Sequence, residues 1–364
     1  MIDIFTDVSQ AVRIEVSAAH RRPIGIVGAG AIVDVAHLPA YTAAGLEVVA
    51  ITDLDRNRAE DVARRHGIPT VCASLNDLLA DDRIGVVDIA VPTTAQLEVA
   101  SRAIRSGRHV LAQKPFALSV QDGRRMVELA EEHGVVLAVN QQLRFDEGMA
   151  AAHRMVELGW IGVVTAISIT VDIWTEWADW PWMLDTERLE IMNHSIHYHD
   201  VIRWFLGEPC TVFCAAGRVP GQAAAGESRT ISTYLFDSGA RALVHANHEN
   251  KHGDNRATFR IDGSLGAIRG TLGLLYDYPH GRPDTLEISS SVIETDGWIP
   301  YPVTTRWIPD AFLGPMSSVM AAATESGALR SSGRDNLGTL RLVEALYESI
   351  STGAAVSVPS AVRH

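Results

Sequence analysis

Cysteine is scarce. Cys72, Cys210 and Cys214 are the only three in 364 residues, too few for a disulfide framework. All three are expected to be reduced, with a cytoplasmic location. The first residues, Met1 to Asp7, lack the basic segment and apolar core of a secretory signal. No uninterrupted apolar stretch reaches the ~20 residues that span a bilayer. Positive charge is in deficit: 31 Lys and Arg against 44 Asp and Glu leave a formal net charge of −13. That balance argues against a nucleic-acid or anionic-membrane binder and is silent on small polar ligands. There is also no His-Glu-x-x-His helix and no cysteine quartet to hold a metal.

What remains is an ordinary globular composition, 47% hydrophobic and 21% charged, in a chain long enough for two domains. The most telling segment runs from Ile24 to Asp53. A short apolar run stops at Gly28-Ala-Gly30-Ala31-Ile32-Val33, a helical pattern follows, and a second apolar run ends at Asp53. A dinucleotide-binding βαβ unit requires this order. Gly28 permits a tight turn, and Gly30 lets backbone approach a pyrophosphate. The N–H groups that open the next helix face the phosphates. Asp53 is placed to accept from both ribose hydroxyls and to repel a 2′-phosphate, which favours NAD over NADP. Val33 stands where this fingerprint has a third small residue, so helix and strand are expected slightly further apart.

Strand patterns at 24–28, 48–53, 86–91, 109–112 and 135–139 alternate with helical patterns at 31–44, 56–66, 74–80, 93–106 and 119–133. Such alternation predicts a parallel sheet covered on both faces. Beyond about residue 160 the pattern is strand-like at 163–173, 209–217, 229–237, 241–248, 256–262 and 284–290, with helical stretches at 187–206 and 334–352. The expected fold is an α/β Rossmann domain (23–145) followed by an α+β domain with a large, mainly antiparallel open sheet (146–364). Residues 1–22 form an extension with no assignment.

Three segments carry candidate chemistry. A buried strand ends at Val91-Pro92-Thr93; this either simply terminates the strand or lets Thr93 cap the next helix and face a cofactor. Lys114 follows a strand directly in Gln113-Lys114-Pro115, at the edge where Rossmann ligands sit. The stretch Asn193-His194-Ser195-Ile196-His197 has helical spacing that sets Asn193 and His197 one turn apart on one face. Asp200 can approach His197 and help fix its tautomer, whereas His199 points away.

Together with His37-Leu-Pro-Ala, Asn140…Arg144-Phe145, His197-x-x-Asp200 and Asp335-Asn-Leu-Gly-Thr, these segments resemble the glucose–fructose oxidoreductase and inositol dehydrogenase (Gfo/Idh/MocA) family. The resemblance extends from about residue 22 to the C-terminus. It implies oxidation or reduction of sugars, cyclitols and related alcohols with NAD(P), and association into a homodimer or homotetramer through the second-domain sheet. Family members carry a Glu-Lys-Pro motif, matched here at Lys114 with Gln113 replacing the acid. They also carry an acid four residues before the active-site histidine, where this chain has Asn193. A glycine between those two is Ser195 here, and the histidine common after the Pro-Thr turn is Gln96.

The resulting expectation assigns Lys114 and His197 to catalysis. Asn193, His194, Trp174 and Arg144 are assigned to the substrate. Gly28, Gly30, Ala31, Ile32, Asp53, Pro92, Thr93 and Gln96, together with Lys114, are assigned to NAD. His197 accepts the hydroxyl proton while Lys114 stabilises developing negative charge on oxygen. The tryptophans at 174, 177, 180 and 182 are read either as sugar-stacking faces or as packing. Two rival functions stay open. One is an NAD or sugar sensor without turnover, which the changes at Gln96, Gln113 and Asn193 suggest. The other is a metal-dependent hydrolase or isomerase built on the histidines at 194, 197, 199, 245, 248 and 252.

Overall fold

A computed structural model describes residues 4–294, 296–324 and 329–358. The chain forms two compact units. The first comprises residues 14–145, 308–324 and 329–340; the second comprises residues 4–13, 146–294, 296–307 and 341–358.

The first unit is built on β1 (Ile24–Val27), β2 (Val48–Thr52), β3 (Thr70–Val71), β4 (Val86–Ile89), β5 (His109–Gln113) and β6 (Leu137–Asn140), in the order β3-β2-β1-β4-β5-β6. Every pairing is parallel. β1, β4 and β6 are buried at every position, which explains why they read as continuous apolar runs rather than alternating ones. The strand order reverses between β1 and β4, where ligands of doubly wound sheets bind at the carboxyl ends. The core between sheet and helices gathers Val27, Ile89, Ile104, Phe116, Met126 and Leu340.

The second unit holds β7 (Val164–Asp172), β8 (Thr211–Gly217), β9 (Arg229–Leu235), β10 (Arg241–Asn247), β11 (Arg256–Gly263), β12 (Gly266–Thr271), β13 (Leu286–Ser290), β14 (Ile299–Tyr301) and β15 (Val356–Ser357). They form one sheet in the order β14-β13-β12-β11-β7-β10-β9-β8-β15, antiparallel except for β7 with β10. Alternating burial along β9 and β10 marks one covered and one outward face, and the helix Ile196–Leu206 packs on β7 and β10.

Several expectations change. Residues 308–324 and 329–340, expected with the second domain, pack with the Rossmann sheet. Ser331 C=O accepts from Val139 N–H at 2.8 Å, and Leu337 and Leu340 enter the core. The unassigned N-terminus splits: its helix Thr6–Val12 belongs to the second unit, where Phe5 packs on Trp160 and Tyr301 and Asp7 pairs with Arg154. The helix expected over 31–44 contains a π-turn, Val33–His37, before Leu38–Ala43. It opens at bulky Val33, and Pro39 brings no N–H to a regular ladder. The stretch 187–206 is two helices, Glu190–Asn193 and Ile196–Leu206, because the Ser195 N–H reaches back to Glu190 C=O. Asn193 and His197 therefore do not share one continuous helix face. β3, β14 and β15, of two or three residues, are too short to show a period, and β12 is bracketed by glycines that read as turn.

Gly28 has φ +104°, and a Cβ there would lie 2.3 Å from the Ala90 carbonyl oxygen. A Gly28→Ala variant is expected to lose more than ~1 kcal/mol of stability, measured by chemical denaturation. Wild-type stability would contradict the tight-turn role.

Candidate active site

The first unit carries a cradle at the end of β1. An added Cβ on Gly30 would meet nothing within 4 Å, so its missing side chain serves space rather than packing. The adjoining cavity of about 350 Å³ is lined by Ala29, Gly30, Ala31, Asp34, Asn57, Arg58 and others. Asp53 lies beside the turn, bonded to two of the lining residues, Ala29 and Arg58. One carboxylate oxygen accepts from Ala29 N–H at 2.7 Å; the other accepts from Asp55 N–H at 2.8 Å and Arg58 Nη2 at 2.7 Å. Burial pushes this carboxyl up, but Arg58 and the two backbone donors outweigh it and hold it below its ordinary range. These donors occupy three of the roughly four acceptor positions of a carboxylate, so a ribose would share Asp53 with Arg58. Arg58 is a lining residue that the sequence reading did not single out. Open space beside backbone N–H groups, with a fixed acid at the turn, fits an adenosine diphosphate moiety.

Pro92 is the N-cap of the helix Thr93–Arg105 and Thr93 its first residue, with no side-chain cap. Thr93 thus does not cap in the expected way. Gln96 also differs. It is 1% exposed, and its Nε2 donates to the carbonyls of Gln113 (2.7 Å) and Pro115 (2.8 Å). Its amide anchors the backbone on both sides of Lys114.

Lys114 follows β5. Its N–H donates to its neighbour's Oε1, on Gln113, at 2.8 Å. Burial pushes its ammonium down to about 8, which keeps it poised near neutral pH. Behind it lies a buried polar network absent from the site expectation. The Gln113 amide meets His37 Nε2 at 3.0 Å, and His37 Nδ1 meets Asp88 at 2.7 Å. Tyr41 Oη donates to the same Asp88 oxygen at 2.8 Å. An acid inside the otherwise apolar β4 run was the available signal, since a buried carboxylate needs partners.

In the second unit, His197 opens the helix Ile196–Leu206, 6% exposed, with its ring 5.3 Å from Trp307. His194 packs edge-on against Trp177 and against His248, at 4.6 Å from the latter. Beneath them Glu190 is fully buried. It accepts from Ser195 and, at 2.6 Å, from Thr230, and it lies 3.6 Å from His248 Nε2. Burial raises this carboxyl, but His248 and the two hydroxyls prevail and hold it below its usual range. Glu190, Trp177 and His248 are the members of this cluster that sequence reasoning did not place together. Their spacing in sequence shows no period that links them.

Trp174 is 37% exposed with the Lys251 ammonium 4.8 Å over its ring; Trp177 is the tryptophan beside the histidines. Arg144 is 3% exposed and is spent on the Arg330 carbonyl and Asp335, each at 2.7 Å. The Nδ2 of Asn193 donates to the carbonyls of Arg188 and Leu189, which ties the amide nitrogen to the two residues that precede its helix. Asp200 lies 3.9 Å from Arg203. His199 points at Tyr234, 2.6 Å away, and burial pushes it down to about 4, as suits a neutral core group. Among the described residues, no three His, Cys, Asp or Glu side chains gather at metal-binding distances, and no helix is long and apolar enough to cross a membrane.

The position of Lys114 predicts a titration near pH 8, read from the ε-carbon of [13C]lysine-labelled protein. An ordinary midpoint near 10.5 would contradict its burial.

Residues 22–141 match the GFO_IDH_MocA oxidoreductase family with an NAD-binding Rossmann fold, and residues 149–269 match the GFO/IDH/MocA C-terminal domain. D-apiose dehydrogenase of Paraburkholderia graminis is 27% identical over 98% of this chain and 94% of its own. scyllo-Inositol 2-dehydrogenase (NAD(+)) of Bacillus subtilis is 30% identical over 62% of this chain and 66% of its own. An oxidoreductase from Agrobacterium radiobacter, solved with NAD+, L-tartaric acid and magnesium, superposes with a TM-score of 0.82 at 25% identity, covering 93% of this chain and 98% of that one. With both of its halves matched by the family's two domains, the chain belongs to the Gfo/Idh/MocA family of NAD-binding oxidoreductases.

Proposed function

We propose that the protein oxidises a secondary alcohol of a sugar, cyclitol or sugar acid, with Lys114 and His197 as its reacting side chains. The observation that carries this reading is Lys114, a partly buried amine rooted at the carboxyl end of a parallel strand. Its lowered proton affinity suits a group that must act on oxygen near neutral pH. Relatives named for D-apiose and scyllo-inositol point to a polyhydroxylated substrate.

NAD, when bound, supplies the acceptor for the substrate's hydride. The Gly28–Ile32 turn offers backbone N–H groups to its phosphates, and Asp53 with Arg58 holds the adenosine ribose. The ionised Asp53 disfavours an added 2′-phosphate, so NAD is preferred over NADP. Lys114 donates to the alcohol oxygen and stabilises the negative charge that develops there. His197 takes the hydroxyl proton. His194, beside Trp177 and His248, presents a polar edge on an apolar aromatic wall, the combination that binds hydroxylated rings. Phe213, Ile231 and Leu235 stand exposed on β8 and β9, a face that a homodimer or homotetramer would cover. Light scattering of the purified protein reads this directly, and a monomer at all concentrations contradicts it.

Nicotinamide reduction is to be followed at 340 nm (roughly the absorption band of the reduced ring) with NAD+ or NADP+ and D-apiose, D-xylose, myo-inositol and scyllo-inositol. NAD+ is expected to be preferred. Lys114→Ala and His197→Ala are each expected to lower turnover by about 100-fold or more while NAD+ affinity changes less than about twofold. Wild-type turnover in both variants sinks the assignment.

A further inference from the structure

We propose that His37 is a positioning residue for Lys114, acting through the Gln113 carboxamide and locked in one tautomer by Asp88. The inference rests on the reading of Lys114 given above, but its geometry stands independently.

The polarity of the chain of contacts is determined from its ends. At one end the Lys114 backbone N–H can only donate, so the Gln113 atom it meets at 2.8 Å is the carboxamide oxygen. The other arm of that amide is therefore the NH2 group, and it faces His37 Nε2 at 3.0 Å. An NH2 group needs a lone pair there, so Nε2 carries no proton. At the opposite end, the Asp88 oxygen that takes the Tyr41 hydroxyl at 2.8 Å also takes His37 Nδ1 at 2.7 Å. Nδ1 is thus the protonated nitrogen. Asn140 Nδ2, 3.4 Å away, also faces Nε2. His37, Asp88, Tyr41 and Asn140 are all fully buried, so solvent does not substitute for any of these partners.

A proton on Nε2 would force the amide to rotate and turn its NH2 toward the Lys114 N–H, donor against donor. The root of Lys114 would then lose its acceptor. Gln96 clamps the flanking carbonyls of Gln113 and Pro115, but it makes no bond to the Lys114 N–H. That contact belongs to Gln113, and His37 sets which way Gln113 points. The π-turn Val33–His37 places the ring at the network, which assigns a purpose to that departure from a regular helix.

The test uses the full-length protein with [15N]histidine and [13C]lysine labels. The chain has only two lysines, Lys114 and Lys251, so the Lys114 signal is easily assigned. Wild-type His37 is expected as the Nδ1–H tautomer with a bare Nε2; an Nε2–H tautomer or a doubly protonated ring overturns the proposal. Gln113→Glu, nearly isosteric, places an acceptor on both arms and is expected to protonate Nε2 as well; an unchanged His37 spectrum also overturns it. His37→Phe is expected to shift the Lys114 ε-carbon signal but not that of Lys251. With NAD+ and the fastest alcohol of the panel, it is expected to lower kcat about tenfold with KM values within about twofold. Adding His37→Phe to Gln113→Leu is expected to cost no further turnover; additive losses assign His37 a general structural role and overturn the relay. If His37→Phe does not fold, the wild-type and Gln113→Glu spectra decide. If Lys114→Ala keeps its turnover, the proposed function fails while the histidine spectra still judge the relay.

Discussion

Asp88 sits inside a parallel strand between apolar neighbours, where a carboxylate without partners would oppose folding. Its requirement for donors organises the reactive edge of the Rossmann unit. It recruits Nδ1 of His37 and the hydroxyl of Tyr41, two side chains one turn apart around the widened helix that follows β1. That fixes the face His37 shows to Gln113, and Gln113 in turn holds the Lys114 backbone. Gln96 completes the enclosure from the following helix. The flexible lysine stem thus rises from a root with almost no freedom, and buried amides supply this more rigidly than solvated groups would.

The second unit solves a similar problem around Glu190. This carboxylate is also fully buried, and it is satisfied by Ser195, Thr230 and the neighbouring His248. Its backbone also accepts the Ser195 N–H that breaks the helix, so one residue shapes the bend and supports the histidines above it. In the first unit the buried acid lies behind a candidate reacting group without being that group; in the second it lies beside His248, which packs on His194. Partial satisfaction of such networks is costly, so truncating a single member removes more than one contact.

The Rossmann half was legible because its signals are local. Buried strands of four or five residues are followed by Gly28, Asp53, Pro92 and Lys114, and the helical spacing between them is strong. Lys114 and Asp53 could be read from their place after a strand. Gln96, Arg144 and Trp174 could not be placed, because their roles depend on partners far away in sequence: the carbonyls of Gln113 and Pro115, Asp335, and Lys251. His37 and Asp88 are separated by 51 residues, and no sequence period links a helix to a neighbouring strand. Residues 308–324 and 329–340 were assigned to the wrong unit because chain continuity is a poor guide once a segment returns to an earlier sheet. The short strands β3, β14 and β15 are defined by their neighbours in the sheet rather than by their own residues.

The central claim is that the chain transfers hydrogen directly from an alcohol carbon to the nicotinamide while its side chains handle only the hydroxyl proton. Isotope tracing tests this most directly. The fastest alcohol of the panel, deuterated at the carbon that is oxidised, is to be turned over with NAD+ in ordinary water, and the reduced cofactor examined by mass spectrometry. The account predicts that the deuterium is retained on the nicotinamide ring. Deuterium released to water would contradict it.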